Sequence, residues 1–219
     1  MNELNHNKIY DYRFKNIDIE KKHKVWHEIA LWMHNHLGKP SRVLEPACGS
    51  MEFLLNLPVS TECWGIDLRL DFKEHPSNIH FCQGNVEDTT LPKEYFDVVW
   101  ISNFLEHLHN PEAIQTLLKK MFLSLKPGGR IAIIGPNFKF CSKDYFNFAD
   151  HRVCLTDKSL AEHLFSAGFR IKEIHPQFLP FSFTGGLPPS SFLTKYYLRI
   201  PLLWKLFGKQ FLVIGFKES

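Results

Sequence analysis

The chain contains no run of 18 apolar residues, so nothing in it is long enough to span a bilayer as a helix. Its five cysteines, Cys48, Cys63, Cys82, Cys141 and Cys154, are odd in number and none forms a CxxC pair. Neither a zinc knuckle nor a disulfide framework is expected from them; the expectation is free, reduced thiols in a cytoplasmic protein. Cationic excess is also slight: a net charge of +3 and a pI near 8.5 fall well short of the concentrated basic face that nucleic acids require, and no nucleic-acid partner is expected. The first residues, Met1 to Lys24, are polar and charged without an apolar segment, which argues against a cleaved secretion signal. No internal repeat or low-complexity tract is visible.

What is present is a chain of 219 residues, 44% hydrophobic, enough for one sizeable core and one domain with an elaboration. Apolar runs suited to buried strands occur at Arg42 to Glu45, Thr61 to Asp67, Ile79 to Gln83, Phe96 to Ser102, Gly129 to Gly135, Phe169 to His175 and Phe211 to Phe216. Helical patterns are expected at Glu20 to Leu37, Met51 to Leu57, Pro111 to Leu125 and Lys158 to Ala167. This alternation predicts an α/β fold, a mostly parallel sheet with helices on both faces. Residues 1–20 read as a poorly periodic arm with aromatic anchors Tyr10, Tyr12 and Phe14, a lid over the pocket or a simple tether. Residues 176–209, rich in Pro and Gly and then in aromatic and basic residues, read as an insertion before the last strand.

In open α/β sheets ligands meet the carboxyl ends of the strands, so strand-end residues carry the weight. Glu45 closes the first strand, and Pro46, Ala47, Cys48 and Gly49 form a small-residue turn that lets backbone amides approach a ligand. Asp67 ends the second strand about 20 residues later, the spacing of a ribose-binding carboxylate. Asn85, after the third strand, offers a donor and an acceptor suited to an adenine edge, with Val86 beside it; a turn former is the plainer alternative. After the fourth strand come Asn103, Glu106, His107 and His109, and in the loop after the fifth come Asp150 and His151. His151 and His107 are the candidate general bases, against surface or pocket-lining roles. The rings of Phe138, Phe140, Tyr145, Phe146 and Phe148 either wall a substrate pocket or pack among themselves.

In order, Val43-Leu44-Glu45-Pro46-Ala47-Cys48-Gly49, Trp64-Gly65-Ile66-Asp67-Leu68, Gly84-Asn85-Val86-Glu87-Asp88, Phe96-Asp97-Val98-Val99 with Asn103 to His107, and Lys126-Pro127-Gly128-Gly129 resemble the motifs of the class I S-adenosylmethionine-dependent methyltransferases. The resemblance implies S-adenosylmethionine as cofactor, S-adenosylhomocysteine as product, and a Rossmann-like seven-stranded sheet whose final strand is antiparallel. It implies cofactor contacts at Glu45, Pro46, Ala47, Cys48, Gly49, Asp67, Leu68, Asn85, Val86 and Asn103. The expected reaction is in-line methyl transfer to an oxygen, nitrogen or carbon of a small-molecule or lipid- or glycan-type acceptor, without a metal. Ala47 and Met51 stand where the family usually has glycines, and Asn85 where an aspartate is common; Ala47 fits if its φ is negative. A non-catalytic cofactor-binding or partner-regulating protein is the alternative, as is transfer of another group from the same cofactor; a nicotinamide dehydrogenase would need three glycines in the first turn. Residues 192–209, where Pro201 would divide any helix, suit either a membrane interface and a lipid-linked acceptor, or a helical cap or dimer contact. A weaker likeness of this segment is to methyltransferases of bacterial surface-glycan and lipid biosynthesis.

Overall fold

A computed structural model describes residues 5–15, 18–68, 75–181 and 190–218. Seven strands form one sheet: β1 (Arg42–Pro46), β2 (Glu62–Asp67), β3 (Ile79–Gln83), β4 (Phe96–Ser102), β5 (Leu125–Pro136), β6 (Arg170–Leu179) and β7 (Gln210–Phe216). Their order is β3-β2-β1-β4-β5-β7-β6, and β7 runs antiparallel to both β5 and β6 while the other pairings are parallel. The order reverses beside β1, where β2 and β4 flank it and their loops turn to opposite sides. All seven strand runs foreseen in the sequence are strands, as is the antiparallel last one.

Helices cover both faces. On one lie α2 (Ile19–His36), α6 (Ser191–Arg199) and α7 (Pro201–Phe207); on the other lie α3 (Pro111–Ser124) and α5 (Asp157–Ser166). α2 starts because the Asp18 carboxylate accepts from Lys21 N at 3.1 Å, and it buries Val25, Trp26, Ile29, Ala30 and Met33 against the sheet. It stops at Gly38, whose φ of +84° few other residues adopt readily. Asn110 caps α3 ahead of Pro111, and Thr156 and Ser159 cap α5 reciprocally.

Three expectations change. The arm is partly helical: α1 (His6–Phe14) is a short helix capped by Asn5, missed because its sequence has no apolar periodicity. The helix expected at Met51 to Leu57 shrinks to one 3-10 turn, Leu54–Asn56, because Met51 is in the left-handed region (φ +55°) and Leu57 precedes Pro58, which draws it into extended backbone. The aromatic loop after β5 contains α4 (Phe138–Tyr145). Pro201 does divide the insertion, as the first residue of α7.

Candidate active site

The carboxyl ends of β1, β4 and β5 open into a cavity of about 660 Å³. One helical row of α2, Lys22, Val25, Trp26 and Ile29, forms one wall. A second wall comes from Leu193, Thr194 and Tyr197 on α6 with Leu203 and Phe207 on α7. Tyr10 and Arg13 of α1 close a third side. The 190–207 segment is therefore a helical cap on this side of the sheet.

The floor is the turn after β1. Cys48 N donates to Ile66 O at 3.0 Å, which holds the turn against β2. A Cβ at Gly65 would lie 2.9 Å from Cys48 Sγ, so the close approach of turn and strand needs a glycine there. Gly49 N donates to Asp67 Oδ2 at 2.7 Å, fixing the second strand's carboxylate at the turn. Ala47 has φ +55°, not the negative value expected of it, and Met51 has the same φ. Both therefore keep the left-handed geometry that glycine ordinarily supplies, at a cost of roughly 1–2 kcal/mol each.

Several titratable groups line the cavity or stand beside it. Glu45 is buried and its Oε2 has no hydrogen-bond partner among the described residues. Burial, reinforced by the charges of Glu52 and Asp67, raises its pKa well above the usual carboxylate range. Glu106 is buried too and burial raises it, against the opposing pull of His107. His107 Nδ1 lies 3.0 Å from the Asp150 carbonyl oxygen and 3.4 Å from its Oδ2, so this nitrogen carries the donated proton and Nε2 faces Glu106 Oε1 at 3.9 Å. Burial would raise Asp150, but the Arg13 hydrogen bond and the nearby His107 outweigh it and hold the carboxyl low. His151 packs on Phe148 at 4.9 Å between ring centroids and 5.0 Å from the His107 ring. Burial and the charge of His107 push it down to about 4.

Four of the six buried side-chain polar atoms that lack a partner among the described residues belong to residues lining this one cavity: Trp26 Nε1, Glu45 Oε2, His151 Nδ1 and Gln210 Oε1. Native interiors satisfy such atoms, so this cavity offers polar groups that a ligand or ordered water can pair with. Glu106, His107 and His151 also bring one ligand atom each within 4.8 Å of one another, a donor set compatible with a metal ion.

Of the residues singled out in the sequence, Glu45, Ala47, Cys48, Gly49, Asn103, His107 and His151 line the cavity, and Asp67 reaches it through Gly49. Pro46, Leu68, Asn85 and Val86 do not line it. Leu68 points to solvent, and Val86 is buried in the opposite core. Asn85 Oδ1 accepts from Glu87 N at 3.0 Å, the arrangement of a turn former. Of the five loop rings only Phe148 reaches the cavity; Phe138, Tyr145 and Phe146 pack among themselves. Tyr10 lines it, whereas Tyr12 is exposed. Sequence reasoning missed Glu106 as a site residue, and Arg13; the only signal for Glu106 was its place beside His107 at a strand end.

A family model described as "Methyltransferase domain" matches residues 44–133, the stretch from β1 into β5. Curated relatives include the demethylmenaquinone methyltransferase of Lactococcus lactis, 32% identical over 127 residues, covering 52% of this chain and 49% of that protein. The ubiquinone/menaquinone biosynthesis C-methyltransferase UbiE of Vibrio vulnificus is 35% identical over 77 residues, 34% of this chain and 28% of its own length. The chain thus spans half or less of the length of these relatives. A solved S-adenosylmethionine-dependent methyltransferase from Archaeoglobus fulgidus superposes with a TM-score of 0.70 over 97% of this chain and all of that one, at 22% identity. The N-methyltransferase NodS of Bradyrhizobium japonicum gives 0.58 over 88% and 94%, at 15% identity, so the fold is shared even where sequence has diverged.

Proposed function

We propose, from the premise that the chain belongs by its matched domain and its fold to the class I S-adenosylmethionine-dependent methyltransferases, that it methylates a small, apolar, lipid-type acceptor in the 660 Å³ cavity. The observation that carries this reading is the mixed lining of the cavity. Four buried polar atoms without a partner among the described residues and the Glu45–Gly49 turn line the same space as the apolar Ile29, Leu193, Leu203 and Phe207. The cofactor fits beside the turn. Glu45 Oε2 is free to meet an ammonium group, Asp67 lies within reach of ribose hydroxyls, and a Cβ added at Gly49 would meet nothing within 4 Å, so the turn has room beside it. The curated relatives are named for methylating quinone precursors, and a ring-bearing acceptor with an apolar tail suits the apolar walls of this cavity.

When bound, S-adenosylmethionine supplies a methyl carbon on a sulfonium sulfur, which departs with the electrons of the broken bond as the acceptor's lone pair forms the new one. The chain's own residues then have three tasks. The apolar walls orient the acceptor and exclude water. Asp150 fixes the tautomer of His107. His151, deprotonated at neutral pH and with Nδ1 unpartnered among the described residues, takes the proton that the acceptor loses. A second reading, cofactor binding without turnover, draws on the left-handed Ala47 and Met51 in the turn. Calorimetry with S-adenosylmethionine, followed by mass detection of methylated product from a panel of prenylated and alkylated phenols, tests both. Absence of binding by folded protein overturns the assignment; binding without product from any acceptor favours the second reading.

A further inference from the structure

α6 and α7 present two different faces, and the outer one has no partner among the described residues. Inward, Tyr197 donates its hydroxyl to Phe178 O at 2.6 Å, and Trp204 donates Nε1 to Tyr197 O at 2.8 Å while packing edge-on against Phe178 and Trp32. These bonds fix the helix pair to the sheet. Trp204 is therefore used internally. Outward, Phe192 and Tyr196 on α6, Ile200 at the junction, and Leu202 and Leu206 on α7 are exposed, the last two at 66% and 65%. Large apolar side chains recurring at i, i+4 on an open helix face are out of place on a surface that meets only water.

The charges that this segment itself carries have one sign, although Glu28 of α2 meets Ser191 at its start. Between Glu173 and Glu218 the sequence contains no acidic residue, whereas Lys195, Arg199, Lys205 and Lys209 are all exposed there. Lys209 pairs with Asp144; Lys195, Arg199 and Lys205 make no ion pair among the described residues. Two residues join the face to the interior. Leu193 and Phe207 are each 47% exposed and each also lines the cavity, so the cavity opens where the apolar face lies.

We propose that the α6–α7 face docks on an anionic lipid bilayer, its apolar side chains entering the interface and its three unpaired cations meeting lipid phosphates, with the cavity mouth turned to the membrane so that a lipid-type acceptor enters from it. The part concerning acceptor entry rests on the methyltransferase reading; the docking itself does not. No described helix is long and apolar enough to cross a membrane, so the contact is one of two short helices lying in the interface. Near an anionic surface each cation contributes roughly fivefold in affinity, so removing three changes it by roughly 100-fold.

The test is co-sedimentation of the full chain, without cofactor, with vesicles of phosphatidylcholine and phosphatidylglycerol and with vesicles of phosphatidylcholine alone. Binding to the mixed vesicles, at least tenfold weaker to the neutral ones and weakened on raising salt, is the expected result. The triple variant Lys195→Glu, Arg199→Glu, Lys205→Glu and the variant Leu202→Ser, Leu206→Ser lie outside the cavity wall, and each should lose vesicle binding by at least tenfold. Both should keep the native calorimetric affinity for S-adenosylmethionine, which also reports correct folding. Failure of the native protein to bind mixed vesicles overturns the proposal, as does binding that neither variant weakens. A dimer in sedimentation velocity that Leu202→Ser, Leu206→Ser disperses would assign the face to a second copy and overturn it too. Loss of cofactor binding in the native protein would instead overturn the methyltransferase reading, independently of the vesicle result.

Discussion

At the scale of single residues, Ala47 and Met51 pose one conformational problem and answer it differently. Both hold φ near +55°, where an L side chain costs roughly 1–2 kcal/mol. Ala47 has little side chain to lose, so Ala47→Gly relieves more strain than it adds in unfolded-chain entropy and should stabilise by about 0.5 kcal/mol in urea unfolding. Met51 is fully buried in the core beneath the sheet. Removing a buried side chain of that size costs about 2–5 kcal/mol, which exceeds the strain, so Met51→Gly should destabilise by about 2 kcal/mol. Equal signs for the two variants would refute the reasoning. Glu45 makes a separate forecast. Its pKa is raised in the free protein, and a ligand ammonium would favour the ionised form, so cofactor binding should release a proton and tighten as pH rises. Calorimetry in buffers of different ionisation enthalpy reads that proton; Glu45→Gln should abolish the release.

At the scale of elements, α1 is a short helix tied to the body of the protein chiefly through one side chain. Its Arg13 ion-pairs with the buried Asp150 and lies over the Phe148 ring, 4.7 Å from the centroid. Arg13→Ala leaves a buried carboxylate without its partner, a loss of about 3 kcal/mol. Because α1 is short and near the chain's start, the loss should appear as undocking: faster amide exchange across residues 6–14 and an Asp150 carboxyl that titrates higher, with α2 and the sheet unchanged. The strands were legible in the sequence because each is a bounded apolar run ending at a turn former, and α3 and α5 because Asn110-Pro111 and Thr156 announce their starts. α1 and α4 were not. No local apolar period records α1, whose Arg13 is held by Asp150 far away in sequence, and α4 is one short helix, capped by Asn137 and burying Cys141 and Tyr145, inside a segment dense in exposed and half-buried rings. The site divided in the same way. Glu45, Gly49 and Asp67 follow from strand-end logic, but the α2 and α6–α7 walls join it only through packing across the sheet. Asn85 and Val86 stand outside the cavity walls because the first turns back on Glu87 N and the second packs into the core, neither of which the local sequence distinguishes from a ring contact.

At the scale of the whole molecule, proton linkage gives opposing slopes. His151, near 6.5 in an unfolded chain, falls to about 4 in the folded one, so the unfolded state binds the extra proton between those values. Stability is therefore lost from this group as pH falls from about 6.5 toward about 4. Glu45 and Glu106, both raised, act in the other sense: what they contribute is present in acid and lost as pH rises through their folded values. The difference between the native protein and His151→Gln isolates the first effect. The Tm of the variant should fall less steeply over that interval, and parallel curves would show that His151 is not buried in its neutral form.

The antiparallel β7 has a consequence for how the molecule is made. It lies between β5 and β6, so β6, though synthesised earlier, has no neighbour in the sheet until residues 210–216 exist. On a ribosome the first five strands can pair while β6 waits with an open edge, and the lining at Gln210 and the seating of α6 and α7 wait with it. A nascent chain stalled before residue 210 should hold β1 to β5 against proteolysis and leave β6 open to cleavage, so the cavity is among the last features of the protein to come into being.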